Sequence, residues 1–176
     1  KRHNILAYNY RLPEICAAVA LAQVEKIDEL CLKRALMGKA YLDVIKKSEF
    51  DILIPQRTPT GYTNSYYTFA AVFNGDQYGV TWQEFRKKYM QFGGDGIYAA
   101  WQLVYNEPCF KDQKIGWGRA PIAEWLQQRI MQFTCNQANA EEREFQALCL
   151  TRTIEYFKLE HFKNQDADSW DNILWG

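Results

Sequence analysis

Two polar side chains near the beginning of the sequence, Asn9 and Arg11, are of the types that bind anions. An amide NH₂ group donates to phosphate oxygens, and a guanidinium adds charge-assisted hydrogen bonds to a phosphate or carboxylate. Pro13 and Glu14 suit the first turn of a helix, so both candidates would lie beside the positive end of a helix dipole, where anions bind. The alternatives are that Asn9 only shapes a turn and that Arg11 is a surface or structural residue.

Aromatic side chains such as Tyr10 and Trp101 can contact the ring of a ligand or pack in a core. A carbohydrate or nucleotide ring can stack on an indole, while packing in a core is the alternative role for either residue. The glycine-rich run 93–96 follows a predicted helix and lacks the G-x-x-x-x-G-K-[ST] pattern of a phosphate-binding loop. We therefore interpret this run as the end of a helix.

The composition indicates a globular domain and argues against two classes of partner. Of the 176 residues, 48% are hydrophobic and 15% are aromatic, which is enough for a substantial core. Lysine plus arginine equals aspartate plus glutamate, at 21 each, so no excess positive charge indicates a nucleic-acid partner. The longest strongly apolar run, residues 15–22, is shorter than the roughly 20 residues of a membrane span, and no signal peptide precedes it.

The cysteines and histidines do not form a pattern typical of a metal site or a catalytic thiol. The five cysteines are odd in number and widely spaced, without a Cys-x-x-Cys pair, which indicates reduced thiols in a cytoplasmic protein. The two histidines, His3 and His161, are far apart in the sequence. Neither a zinc site nor a Cys–His pair is therefore expected.

A long helix must position the anion-binding candidates, and it is predicted from Leu12 to about Lys47 with a bend near Gly38. Between residues 15 and 22 the apolar residues surround this helix on all sides, and further along they narrow to a stripe. A helix that is apolar all round must be buried all round. We infer that this end packs against material that is only partly present in the chain.

Two strands and a weaker candidate follow the helix. Residues 52–55 form a short apolar run closed by proline, and residues 63–73 form a stronger run rich in Tyr, Thr, Phe and Val. Asn74-Gly75 is a turn signal. Residues 78–80 are predicted to return briefly as a strand.

Two further helices are predicted from their first residues. Thr81 and Glu84 form a capping box for a helix that reaches about residue 92 and ends at the double glycine 93–94. Pro121 suits the first position of another helix, which we expect to continue to about Phe133.

The last predicted helix begins at Asn139, with Glu142 as its capping partner, and continues to about Leu159. Its inward-facing residues are expected to be Phe145, Leu148, Cys149 and Tyr156. The segment 160–176 remains unassigned. Because the helices do not alternate regularly with the strands, the sequence predicts an α+β layer.

Several short runs are similar, in order, to the motifs of one family. The first is Ala7-Tyr8-Asn9-Tyr10-Arg11, which leads into the alanine-rich start of the long helix. The others are Gly61 to Phe69, Phe85 to Lys88 before the glycines at 93–96, Tyr98 to Leu103 with Glu107-Pro108, and Pro121 to Glu124. Together they cover about residues 7–158 and resemble the DegT/DnrJ/StrS family of pyridoxal-phosphate (PLP) sugar aminotransferases.

The resemblance implies an α+β fold, the small C-terminal domain of a fold-type I PLP-dependent transferase, entered through a long interdomain helix. The implied organisation has three parts. Residues 1–47 are the end of the large domain and the interdomain helix. Residues 48–159 are the small C-terminal α/β domain, and residues 160–176 are a tail of unknown role.

The resemblance also implies roles for the candidate residues. In family members, the asparagine at the position of Asn9 reaches across the dimer to the PLP phosphate of the neighbouring subunit, and Arg11 is a second candidate for that phosphate. Many relatives carry a Leu-His pair near the sugar nucleotide where this sequence has Trp101. This departure leaves open whether Trp101 contacts the substrate, and Tyr10 is the other candidate for that contact.

The implied activity is that of an aminotransferase acting on a keto-sugar nucleotide, with glutamate as the amino donor and a homodimer or a complementing N-terminal half as partner. The lysine that forms the Schiff base and the carboxylate beside the pyridinium nitrogen precede the Asn-Tyr-Arg element in the family. Lys39, Lys46 and Lys47 have no motif context as replacements, so we expect the chain alone to be inactive. The alternative is a non-catalytic binding or assembly module derived from this fold.

Overall fold

The computed structural model describes residues 8, 11–99, 102–110, 116 and 118–175, with residues 99 and 164–175 described by their backbone. Five helices and four strands lie within this part of the chain. The helices are α1 (Glu14–Val24), α2 (Ile27–Ser48), α3 (Trp82–Gln91), α4 (Pro121–Gln127) and α5 (Ala140–Trp175). The strands are β1 (Leu53–Pro55), β2 (Thr68–Phe73), β3 (Tyr98–Ala99) and β4 (Ile130–Thr134). The mixed α+β class is as predicted.

The strands form one antiparallel sheet in the order β1-β2-β4-β3. In the central pair, Phe69 lies opposite Phe133 and Ala71 lies opposite Met131. All four residues are buried, whereas the residues between them are only partly buried. This alternation gives the sheet one covered face, which packs into the same core as residues of α2, α3 and α5.

Aromatic rings fill the space between the sheet and the helices. The Tyr41 ring of α2 lies 5.4 Å from the ring of Phe69 and 5.3 Å from that of Phe133, measured between centroids. On the neighbouring helices, Phe85 stacks on Phe157 at 5.7 Å. Contacts of this kind add to the hydrophobic gain of burying such large side chains.

A chain of buried hydrogen bonds connects the three covering helices. The hydroxyls of Tyr41 and Tyr89 lie 3.3 Å apart, and Tyr89 donates to Oε1 of Gln146 on α5 at 2.7 Å. The same oxygen accepts the backbone N–H of Asp95 at 2.8 Å. Gln146 therefore satisfies two donors from different elements, which ties the turn after α3 to α5.

The predicted long N-terminal helix is wrong in one respect, because the structure has two helices that meet at Glu25 and Lys26. The backbone N–H of Lys26 donates to the carbonyl of Gln23, three residues back, and the φ of Lys26, −112°, is not helical. The predicted bend near Gly38 does not interrupt the helix. Gly38 lies inside the continuous helix α2, with the ring of Tyr66 packed against it.

The strand predictions are partly confirmed. The run 52–55 contains β1, but the run 63–73 forms a strand only from Thr68. The reason is that the side chain of Asn64 accepts the N–H of Tyr66 at 2.8 Å and holds a turn there. No strand forms at residues 78–80. A 3₁₀ helix, Gly75–Tyr78, occupies this region, and Gly79 closes it at a φ of 65°.

The predicted helix from Pro121 to Phe133 is wrong in its second half. Helix α4 ends at Gln127, and residues 130–134 form β4. The N–H of Arg129 donates to the carbonyl of Leu126 at 2.9 Å, which closes the helix with a tight turn. Met131 and Phe133 then alternate toward the core, as a strand requires.

Both predicted capping arrangements are confirmed. The N–H of Thr81 donates to Oε2 of Glu84 at 2.8 Å, and the N–H of Glu84 donates to Oγ1 of Thr81. The Thr81 hydroxyl also donates to Oε2 of Glu84 at 2.7 Å, and this bond together with that from the Thr81 N–H holds the pKa of Glu84 below its usual value. At the start of α5, the N–H of Glu142 donates to Oδ1 of Asn139 at 2.8 Å. The predicted helix stop is confirmed as well, because Gly93 adopts a φ of 93° after α3.

Helix α5 is longer than predicted, since it continues past Leu159 to Trp175. Its inward face is also shifted. Cys149 is buried as predicted, but Phe145, Leu148 and Tyr156 are exposed. The buried residues are Gln146, Cys149, Leu150, Thr153, Ile154 and Phe157, which follow the spacing of a single helical stripe. In the described part of the chain, no helix is both long and apolar enough to cross a membrane.

We predict that Gln146→Met lowers the free energy of unfolding by about 2 to 3 kcal/mol, because Tyr89 and the amide of Asp95 lose their buried acceptor. Chemical denaturation measures the change. Gln83→Met is the matched control, since Gln83 lies exposed on α3. Equal effects of the two substitutions would show that the buried acceptor contributes nothing.

We also predict that stability falls in alkali. Burial raises the pKa of Cys135 to about 11, above its ordinary value. The folded state therefore holds the thiol proton more tightly than the unfolded state, so this contribution is lost as the pH rises from the ordinary thiol pKa through about 11. Burial also raises the pKa of Tyr41 and Tyr89, which extends the loss to higher pH.

Urea unfolding at a series of pH values tests this. Cys135→Ala should remove the earliest part of the decrease, whereas Cys109→Ala should not, because Cys109 is exposed. Parallel pH profiles of the wild type and Cys135→Ala would contradict the assignment.

Candidate functional site

The predicted anion-binding residues lie at the start of α1. Arg11 is exposed two residues before Pro13, which is the N-cap of the helix. Asn9, Tyr10 and Trp101 lie outside the described residues, so their proposed contacts stay predictions.

The first turn of α1 has the features of an anion-binding helix terminus. Its N-cap, Pro13, has an extended backbone, with φ −61° and ψ 145°, and provides no side-chain cap. The first helical hydrogen bond runs from the N–H of Ala17 to the carbonyl of Pro13 at 2.9 Å. The amides of residues 14–16 precede that bond and point along the helix axis toward its N-terminus, where a phosphate can accept them.

Helix α1 is apolar and fully on the surface. None of its residues is buried, and Ile15 is 81% exposed. The first half of α2 also carries exposed apolar residues, Ile27, Leu30, Leu32 and Leu36. Exposed apolar patches are common where another protein body packs.

A strained turn precedes β2 and directs one tyrosine outward. Tyr66 has a φ of 49°, which is unusual for a bulky residue and typical of functional or tightly packed positions. Its ring occupies the space that a side chain at position 38 would need, since a Cβ on Gly38 would lie 2.7 Å from it. The next residue, Tyr67, is 82% exposed.

Arg34 holds the outward-facing tyrosine in place. Its Nη1 donates to the carbonyl of Tyr67 at 2.9 Å, and its guanidinium lies 5.7 Å from the centre of the Tyr67 ring. An exposed aromatic ring beside a guanidinium can stack with a planar or sugar ring and attract an anion. Sequence reasoning missed Arg34 as part of a site. The sequence signal was the glycine in the middle of α2, Gly38, which was interpreted as a bend. A glycine there also allows another part of the chain to contact α2 closely.

The loop that follows β3 contains two 3₁₀ helices, Val104–Asn106 and Pro108–Phe110, and leads to α4. Within it, the hydroxyl of Tyr105 donates to Oε1 of Glu124 at 2.7 Å. Glu124 is the last residue of the Pro-Ile-Ala-Glu run. Sequence analysis used this run for its resemblance and for a helix start at Pro121, and missed the hydrogen bond.

Two lysines of α2 form exposed ion pairs. Lys39 pairs with Asp43 on the exposed side of α2, and Lys33 pairs with Glu29 one turn earlier. The described histidines, cysteines, aspartates and glutamates form no cluster of three that could hold a metal ion.

The model of the DegT/DnrJ/EryC1/StrS aminotransferase family matches residues 1–147. The chain therefore belongs to this family, which confirms the resemblance. No curated protein matches the sequence significantly.

Solved structures of three proteins share the fold of the chain. Helicobacter pylori PseC, an aminotransferase involved in the biosynthesis of pseudoaminic acid, matches with a TM-score of 0.69 and 18% identity, covering 87% of this chain and 40% of PseC. A DegT DnrJ EryC1 StrS aminotransferase from Brucella abortus gives 0.66 and 18%, with 89% and 39% covered. Spr1654 from Streptococcus pneumoniae in its PLP form gives 0.64 and 14%, with 83% and 36% covered. The chain thus spans about two fifths of the length of these proteins.

We predict that Gly38→Ala destabilises the protein by about 1 to 3 kcal/mol, because the added methyl group collides with the Tyr66 ring. In a Tyr66→Ala background the same change should instead stabilise the protein by about 0.5 to 1 kcal/mol, the usual gain of alanine over glycine inside a helix. Denaturant unfolding of the four variants completes the cycle. An identical effect of Gly38→Ala in both backgrounds would contradict the contact.

Proposed function

We propose that this chain is the part of a PLP-dependent aminotransferase that forms its small C-terminal domain and interdomain helix. The proposed substrate is a keto-sugar nucleotide, with glutamate as the amino donor. In the proposed division, residues 1–47 complete the large domain and enter the interdomain helix, residues 48–159 form the small domain, and residues 160–176 are a tail. The role of the tail is left open.

The observation that carries the proposal is that no residue of the apolar helix α1, shortly after Arg11, is buried, in a chain that belongs to an aminotransferase family. An isolated helix of 11 residues is only marginally stable in water. Its apolar residues therefore require a surface to pack on. We propose that this surface is the large domain of the enzyme, at an interface between two subunits.

We propose that this chain contacts the phosphate of a PLP molecule that is bound in a partner subunit. Asn9 would donate from its amide and Arg11 from its guanidinium, next to the uncapped amides of the first turn of α1. These donors suit the oxygens of a phosphate. PLP, when bound, supplies the electron sink for transamination.

We propose that the chain also forms one wall of the cleft in which the substrate binds. Tyr10 and Trp101 are the proposed substrate contacts. Tyr67 is a further candidate, because its exposed ring lies beside the guanidinium of Arg34. A sugar nucleotide offers a ring for stacking and phosphates for the arginine.

The chain alone is proposed to be inactive. The lysine and the ring-binding carboxylate belong, in the family, to the segment before the Asn-Tyr-Arg element, and the ion-paired lysines described here lie on the surface. Activity would then require a homodimer of the complete protein or a complementing N-terminal half.

The test is to express the chain together with a large-domain half of the family that carries the lysine. We predict that the pair develops the visible absorption band of lysine-bound PLP. Asn9→Ala in the pair should weaken PLP binding about tenfold, the loss expected for one hydrogen bond to a charged group. Asn136→Ala, at an exposed position after β4, is the control and should leave PLP binding unchanged.

Two outcomes would contradict the proposal. One is a folded pair without the absorption band. The other is a chain that stays a folded monomer and does not associate with the large-domain half, which would favour the non-catalytic module.

A further inference from the structure

The outer side of α5 carries a stripe of exposed residues at alternating intervals of three and four positions. The members of this stripe are Phe145, Leu148, Arg152, Glu155, Leu159 and Phe162. This is the heptad spacing of a helix that pairs with another helix. The four apolar members are between 44% and 60% exposed. Apolar side chains with this spacing on an exposed face indicate a surface on which a second helix packs.

The stripe lies opposite the side of α5 that packs in the core. The buried residues of the same stretch are Gln146, Cys149, Leu150, Thr153, Ile154 and Phe157. With 3.6 residues per helical turn, the centres of the exposed and buried stripes are about half a turn apart. The described part of the chain therefore leaves the exposed stripe largely open to solvent. Most of the stripe also lies beyond residue 147, where the family match ends, so that match assigns it no role.

The apolar members of the stripe are complementary to themselves when two copies of α5 run antiparallel. With the two-fold axis at the midpoint of the stripe, Phe145 of one copy lies level with Phe162 of the other. In the same arrangement Leu148 lies level with Leu159. The two-fold symmetry repeats each contact, so apolar layers form on both sides of the centre.

The two charged members of the stripe select this antiparallel orientation. In the antiparallel pair, Arg152 of one copy lies level with Glu155 of the other, so opposite charges meet at the centre. In a parallel pair, Arg152 would face Arg152 and Glu155 would face Glu155. A polar layer within an apolar seam specifies orientation and register in paired helices. Charge complementarity therefore favours a second copy of α5 as the occupant of the stripe.

We propose that the stripe on α5 is a self-association surface, on which a second copy of this chain docks with its own α5 antiparallel. At about 1.5 Å per residue, the stripe is roughly 27 Å long. A helix pair of this length buries less than the roughly 1,600 Å² of a standard interface, so the expected dimer is weak, with a Kd on the order of 10 μM. This interface goes beyond the proposed function and does not depend on it, because none of its six residues is a proposed contact of PLP or substrate.

Sedimentation velocity of the chain over a series of concentrations measures the dimer. Arg152→Glu should raise the Kd about tenfold, because both central contacts become glutamate against glutamate. Glu155→Arg should raise it by a similar factor, because arginine then faces arginine. The double variant Arg152→Glu/Glu155→Arg should restore the wild-type Kd. Arg57→Glu, the same charge reversal at an exposed position after β1, is the matched control and should leave the Kd unchanged.

Mixing the two single variants tests the pairing directly. One variant presents only glutamates at the centre and the other only arginines, so a heterodimer should form with about the wild-type Kd. All substituted positions are exposed, and circular dichroism checks that each variant is folded. Leu159→Ala tests the same surface without a charge change and should raise the Kd about tenfold. Its control is Ile122→Ala, which removes an exposed apolar side chain from α4.

Three results would overturn the proposal. The first is a wild-type chain that stays monomeric well above the expected Kd. The second is a dimer whose Kd is the same in the wild type and in both charge variants, which would place the contact on another surface such as α1. The third is a mixture of the two single variants that forms no heterodimer. None of these results bears on the proposed function, which the absorption band of lysine-bound PLP tests separately.

Discussion

The packing of Tyr41 on the sheet is the contact on which the positions of the helices depend. Its ring lies between Phe69 of β2 and Phe133 of β4, and its hydroxyl meets that of Tyr89. Because Tyr89 donates to Gln146, the same residue connects α2 to α3 and α5. The second half of α2 is thereby fixed on the covered face of the sheet. Its first half projects beyond the core with a fixed direction.

The candidate site consists of exposed segments whose inner side packs on this core. The ring of Tyr66 packs against Gly38 of α2. The strained turn at this tyrosine leaves the next residue, Tyr67, exposed to solvent, with Arg34 beside it. A strained backbone persists only where the surrounding structure imposes it. Glu124 acts in a similar way on the loop after β3, since it satisfies donors from both ends. In both places a side chain on a helix holds a loop segment by a hydrogen bond.

The features that the sequence predicts correctly are the local ones. Thr81 and Glu84 are three residues apart, so their reciprocal hydrogen bonds can be read directly from their types and spacing. Strand β4 could not be recognised in this way, because Met131 and Phe133 alternate over too short a run and become a strand by pairing with β2. The roles of Arg34 and Glu124 depend on partners 33 and 19 residues away. Asn9 was found from its residue type and from the family resemblance, and its role remains a prediction.

The uninterrupted course of α2 has a mechanical consequence. At about 1.5 Å per residue, its 22 residues form a rod roughly 33 Å long. Gly38 cannot serve as a joint, because the aromatic ring against it blocks bending toward that side. At Lys26, with a φ of −112°, the backbone leaves helical geometry between α1 and α2. A change of direction between these two helices would therefore pivot at this residue, with α2 moving as one rod.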